Sequence, residues 1–138
     1  MWIVFALLSA FFAALTAIFA KIGIKNVDSD LATAIRTVII LILAWGIAFA
    51  RGGTATINSL SKQNLIFIIL SGIATGLSWI FYFKALQIGE VSKVAPVDKL
   101  SVAIAIVLSV IFLHEKISFL GIMGVLLIIC GTILVIYN

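Results

Sequence analysis

Charge is scarce in this chain: Asp, Glu, Lys and Arg make up only 10% of its 138 residues, where soluble domains carry about a quarter. With a mean hydropathy of +1.38, that scarcity excludes an ordinary water-soluble domain. The longest segment between apolar runs, residues 51–64, is far below the length of about 40 residues under which chains rarely fold unaided. No extramembrane catalytic or nucleic-acid-binding domain is therefore expected. The net charge of +4 is scattered over loop lysines and a few embedded cations, and reads as a membrane-surface effect rather than a phosphate-tracking patch. One cysteine, Cys130, rules out an intrachain disulfide and reads as a small core residue. The single histidine, His114, reads as a loop residue. No nucleophile with its base and no metal-ligand cluster is visible, so neither an enzyme nor a metal site is expected. The absence of a glycine-rich phosphate loop leaves no sign of ATP use, and no cofactor is expected.

What the chain has is apolar length. Five runs, approximately 2–20, 31–50, 65–83, 94–113 and 118–137, each have the roughly 20 residues that a bilayer-spanning helix needs. The fold class that follows is an all-α integral membrane protein, a five-transmembrane-helix bundle forming one domain over 1–138. The first run lacks a basic leader and is followed directly by Lys21 and Lys25, so it reads as a retained helix.

Inside lipid, polar and small side chains mark the faces turned toward protein or a wet cavity. On the third helix Ser71, Thr75, Ser78 and Tyr82 share one face. Trp79 lies beside it, and Gly72 and Gly76 flank it as a small-xxx-small pair. Two readings stay open: hydroxyls bonded back to the preceding turn in a tight helix contact, or the lining of a cavity. The fourth run carries Pro96, Asp98 and Lys99 near its start. Asp98, Ser101, Ala105 and Ser109 fall on one face, while Lys99 lies about 100° away and is not expected to pair with Asp98 within the helix. Pro96 reads as a first-turn residue, and Arg36 on the second helix is the expected partner of Asp98. Asp98 is either an orienting ion pair or a functional acid. On the fifth helix Gly121, Gly124 and Gly131, the last two nearly aligned, form an association surface, within the fold or between chains.

The run Ala85-Leu86-Gln87-Ile88-Gly89-Glu90-Val91-Ser92-Lys93-Val94-Ala95-Pro96, followed by Leu113-His114-Glu115-Lys116, resembles the EamA family of the drug/metabolite transporter superfamily. Nearly the full chain fits one repeat of that family, and Arg36 fits its usual pattern. His114 departs from it, since a glycine commonly precedes the glutamate. The resemblance implies paired, mutually inverted halves. Five crossings put the termini on opposite faces, so one repeat reaches that state as a dimer of oppositely inserted chains. Lys21, Lys25, Lys84 and Lys93 collect on one side and Arg51, Lys62 and Lys116 on the other, a slight bias by the positive-inside rule. The glycine-bearing last helix also resembles the dimerising helix of small multidrug-resistance proteins.

These readings together imply a secondary transporter of a small metabolite in the cytoplasmic (inner) membrane, working by alternating access, with lipid, substrate and a second copy as its partners and no nucleic acid. Ser71, Thr75, Ser78, Trp79, Tyr82 and Ser101 would line the cavity, and Arg36, Asp98 and Lys99 would gate it or couple it to a gradient, with Asp98 as the proton carrier. Gly72, Gly76, Gly121, Gly124 and Gly131 would serve packing or dimerisation. Two alternatives remain: a multidrug exporter, although the first helix lacks the acid those proteins use, and a non-transporting subunit of a larger complex.

Overall fold

The protein is described by a computed structural model over residues 1–137, and all regular structure among the described residues is helical. The helices are α1 (Trp2–Gly23), α2 (Ser29–Ala50), α3 (Lys62–Ile88), α4 (Val91–Asp98), α5 (Leu100–Phe112) and α6 (Phe119–Tyr137), with a 3-10 segment, Gly53–Ser59, between α2 and α3. Taking α4 and α5 as one span, Val91–Phe112, five segments are long and apolar enough to cross a membrane. The chain is thus an all-helical membrane protein, as its composition requires.

Local chemistry fixes the helix starts. Asp28 caps α2 by accepting from Asp30 N and Leu31 N, both at 3.0 Å, which satisfies amide donors that the first turn leaves free. Ser61 Oγ accepts from Asn64 N at 3.1 Å at the head of α3, and Ser118 Oγ from Gly121 N at 3.1 Å at the head of α6. Gly52, with φ +70°, turns the chain out of α2, a conformation that glycine adopts without steric cost.

All the spans but α6 are longer than the apolar stretches that mark them. At 27 residues, α3 extends about 40 Å at 1.5 Å per residue, beyond a hydrocarbon core of about 30 Å. Its polar ends, Lys62 to Asn64 and Lys84 to Gln87, continue the hydrogen-bonded helix where apolarity stops. The fourth span differs more. It begins at Val91, so Pro96 lies inside α4 rather than in its first turn, and the Ser92 carbonyl loses the N–H donor four residues on.

Two compact units divide the chain, Phe19–Gln87 and Met1–Ile18 with Ile88–Asn138. In the first, Ile24, Phe83 and Leu86 are buried with Ser29 and Thr33. Long polar side chains tie its connections together: Lys21 Nζ donates to Leu86 O at 2.6 Å and Gln87 Nε2 to Val27 O at 2.8 Å. The end of α1, the start of α2 and the end of α3 therefore meet on one side, as up-and-down crossing demands. In the second unit α6 packs on α4 and α5, with Ala103 and Thr132 buried.

Candidate functional site

The site in the first unit grows from the inward face of α2. Ser29, Thr33 and Arg36 recur at i, i+4 and i+7, which places them on one side of the helix. Thr33 Oγ1 donates to Ser29 O and Thr37 Oγ1 to Thr33 O, each at 2.8 Å. Both hydroxyl protons are thus spent on the preceding turn. Ser29 Oγ and Arg36 Nη1 are buried without a hydrogen-bond partner.

Arg36 meets aromatic faces rather than an acid. Its Cζ lies 4.4 Å from the Trp79 ring centroid and 4.9 Å from that of Phe83, rings one turn apart on α3. A cation near a span centre costs about 2.5–3.5 kcal/mol, and a desolvated cation–π contact returns about 2 kcal/mol. The rings thus offset much of the charge, while the orphaned Nη1 donor stays unsatisfied at about 1–3 kcal/mol. Among the described residues no acid forms an ion pair with Arg36.

The α3 stripe begins beside these rings. Thr75 Oγ1 donates back to Ser71 O at 2.9 Å, the bonding expected of a hydroxyl in a helix contact. Ser71, Thr75 and Ser78 are nevertheless exposed, while Trp79 and Tyr82 are half-buried. A Cβ added at Gly72 or Gly76 would meet nothing within 4 Å. Within its own unit, the small, hydroxyl-bearing face of α3 is left uncovered.

In the second unit Asp98 closes α4 and Lys99 forms the junction to α5. Lys99 Nζ lies 3.3 Å from Asp98 Oδ2, so the neighbouring lysine, not expected as an intrahelical partner, does pair with the acid. The cause is the helix break. Lys99 N bonds to Ala95 O at 3.3 Å and Pro96 O at 3.1 Å, and Lys99 O accepts from Val102 N at 3.0 Å. The two three-residue steps, Pro96 to Lys99 and Lys99 to Val102, tighten the turn and interrupt the regular helix on which the 100° separation rests. Thr132 Oγ1 of α6 donates to Ile128 O at 2.9 Å and also reaches Pro96 O at 3.3 Å, a side chain entering the α4–α5 ladder. Asp98 and Arg36 thus each have a neighbour other than the expected one. Ser101 is exposed, and Ser109 Oγ donates to Ile106 O at 3.0 Å.

The α6 glycines divide. A Cβ on Gly121 would stand 2.8 Å from Ile117 Cγ1, so this glycine is required by its own turn, whereas Gly124 and Gly131 face open space. No described side chain of the same unit comes within 4 Å of a Cβ placed on those two.

The sequence model of the EamA-like transporter family matches residues 1–137. The chain belongs to the EamA-like transporter family. It is also 45% identical over 133 residues to an "uncharacterized transporter in cobO 3′ region" from a Sinorhizobium species, covering 96% of this chain and 94% of that protein. No solved structure matches the chain. This EamA-like chain is a multi-pass membrane protein of a transporter family; residues 85–96 run from the last turn of α3 through Gly89 and Glu90 into α4, and residues 113–116 lie in the α5–α6 connection. His114, in the position where the resemblance calls for glycine, has φ +54°. That left-handed conformation explains the preference for glycine.

Sequence reasoning singled out Arg36, Trp79, Tyr82, Asp98 and Lys99. It missed Phe83, Ser29, Thr33 and Thr132. Asp28, a capping residue before the second run, was the signal that places the start of α2 early enough to include Ser29 and Thr33.

Proposed function

We propose that this EamA-like protein is a secondary transporter of a small metabolite in the cytoplasmic membrane, working by alternating access as a dimer of oppositely inserted chains. The observation that carries the reading is the uncovered face of α3. Ser71, Thr75 and Ser78 stand exposed on a membrane-spanning helix, and even a hydroxyl bonded back to its own helix, as Thr75 is, keeps, at a cost, acceptor lone pairs that lipid does not satisfy. A wet cavity completed by a second chain removes that cost. The relative from Sinorhizobium supports the dimer, since the alignment takes up 94% of it and leaves no room for a second repeat. In this reading Ser71, Thr75, Ser78, Trp79, Tyr82 and Ser101 line the path, Arg36 and Lys99 gate it, and Asp98 carries the coupling proton.

The test is proton movement in proteoliposomes across a metabolite library, with native protein and Asp98→Asn side by side. A metabolite-dependent proton flux that Asp98→Asn abolishes while the protein stays folded and dimeric supports the reading. Failure of every metabolite to bind, with Asp98→Asn only lowering stability, would overturn it in favour of a structural ion pair.

A further inference from the structure

We propose that Arg36, held on Trp79 and Phe83, is the binding point for a carboxylate on the transported molecule, so that the substrate is a small organic acid. The inference deepens the transporter reading and rests on it. Guanidinium carries five N–H donors in one plane and no acceptor. The Trp79 and Phe83 ring centroids lie 4.4 and 4.9 Å from Cζ, contacts that hold the cation without giving the Nη1 donor an acceptor. An in-plane fork is the geometry that a carboxylate matches with two parallel hydrogen bonds.

Two further observations point the same way. Nη1 is buried without a hydrogen-bond partner, and Ser29 Oγ, two turns back on the same face of α2, is the other side-chain atom in that condition among the described residues. A chain built only for stability satisfies such groups internally. Here the acid that would neutralise Arg36 is missing among the described residues, because Asp98 pairs with Lys99. A singly charged acid fits better than a phosphate dianion. Arg36 is the cation held against the Trp79 and Phe83 rings, and a single guanidinium balances one negative charge.

The test uses full-length protein in nanodiscs of phosphatidylcholine, with benzoate as probe and its neutral and cationic counterparts, benzamide and benzylamine, as controls. Binding is read from thermal stabilisation and from Trp79 fluorescence in a Trp2→Phe, Trp45→Phe background. Benzoate is expected to stabilise the protein and perturb Trp79, and the two controls are not. Arg36→Lys, which keeps the charge and loses the fork, is expected to weaken benzoate about tenfold, and Arg36→Gln to abolish the response. Equal binding of benzoate and benzamide overturns the proposal, as does an unchanged benzoate response in Arg36→Gln. A response that instead tracks phosphatidylglycerol in the nanodisc assigns the guanidinium to a lipid phosphate and also overturns it. Arg36→Gln that still moves a neutral metabolite in proteoliposomes sinks the acid substrate while leaving the transporter reading intact.

Discussion

His114 holds a left-handed backbone, φ +54°, at the end of α5, and Asn26 does the same, φ +64°, between α1 and α2. Asparagine tolerates that region because its short polar side chain can hydrogen-bond locally, while other side chains pay about 1–2 kcal/mol there. His114→Gly is expected to raise the midpoint of thermal unfolding in detergent. His114→Val should fall below the glycine variant by about 1–2 kcal/mol, since branching at Cβ aggravates the same crowding. Equal midpoints for the two variants would show that the turn relaxes to an ordinary conformation. The sequence flagged His114 only as a departure from the family signature. Why glycine belongs there became visible with the backbone angle. Arg36 gives the same lesson from a side chain. Its position on α2 could be read from sequence, but its stacking on Trp79 and Phe83 depends on how two apolar helices cross, and runs with little charge encode no register between them.

At the scale of the element, hydrophobic run length located all five spans and misjudged their ends, because it measures contact with lipid while the helix follows hydrogen bonding. The α4–α5 junction is the sharpest case. Proline inside a helix removes one donor, yet the chain runs on for two residues past Pro96 and breaks at Lys99, where Pro96 O is shared between Lys99 N and Thr132 Oγ1. Sequence marks the proline; the threonine 36 residues away is beyond any local pattern. Thr132→Val, which keeps shape and deletes the donor, is expected to destabilise the protein by about 0.5–1.5 kcal/mol. Amide exchange should slow at Leu100 as the junction becomes a regular helix, and Thr132→Ser should restore the native rate. Unchanged exchange at Leu100 in Thr132→Val would show that Pro96 and Lys99 break the span without help from α6. At the other end of the chain, Asp28→Ala removes both acceptor contacts at the start of α2 and should cost about 1 kcal/mol of stability, with Asp28→Ser recovering most of it.

For the whole molecule, the informative feature is what one chain leaves open. Gly124 and Gly131 on α6, and Gly72 and Gly76 on α3, would have no neighbour within 4 Å of a methyl group placed on them, although small residues on membrane helices let backbones approach closely. The sequence shows two spacings of small residues; that no helix of the same unit occupies them is a property of the tertiary structure. Gly121 supplies the internal control, because its Cβ would strike Ile117 at 2.8 Å. Gly121→Ala is therefore expected to lower the stability of the single chain, whereas Gly124→Leu should leave that stability unchanged and shift the protein from dimer to monomer by sedimentation in detergent. Loss of the dimer should carry loss of transport with it, since the exposed hydroxyls of α3 are then closed by nothing but lipid. Five spans set the two termini on opposite faces, so a reporter fused to the C-terminus should appear on both sides of the membrane when the halves are inverted copies. A reporter on one side only, together with a Gly124→Leu protein that stays dimeric, would mean that two parallel chains associate through another surface, and the inverted-pair mechanism would have to be given up.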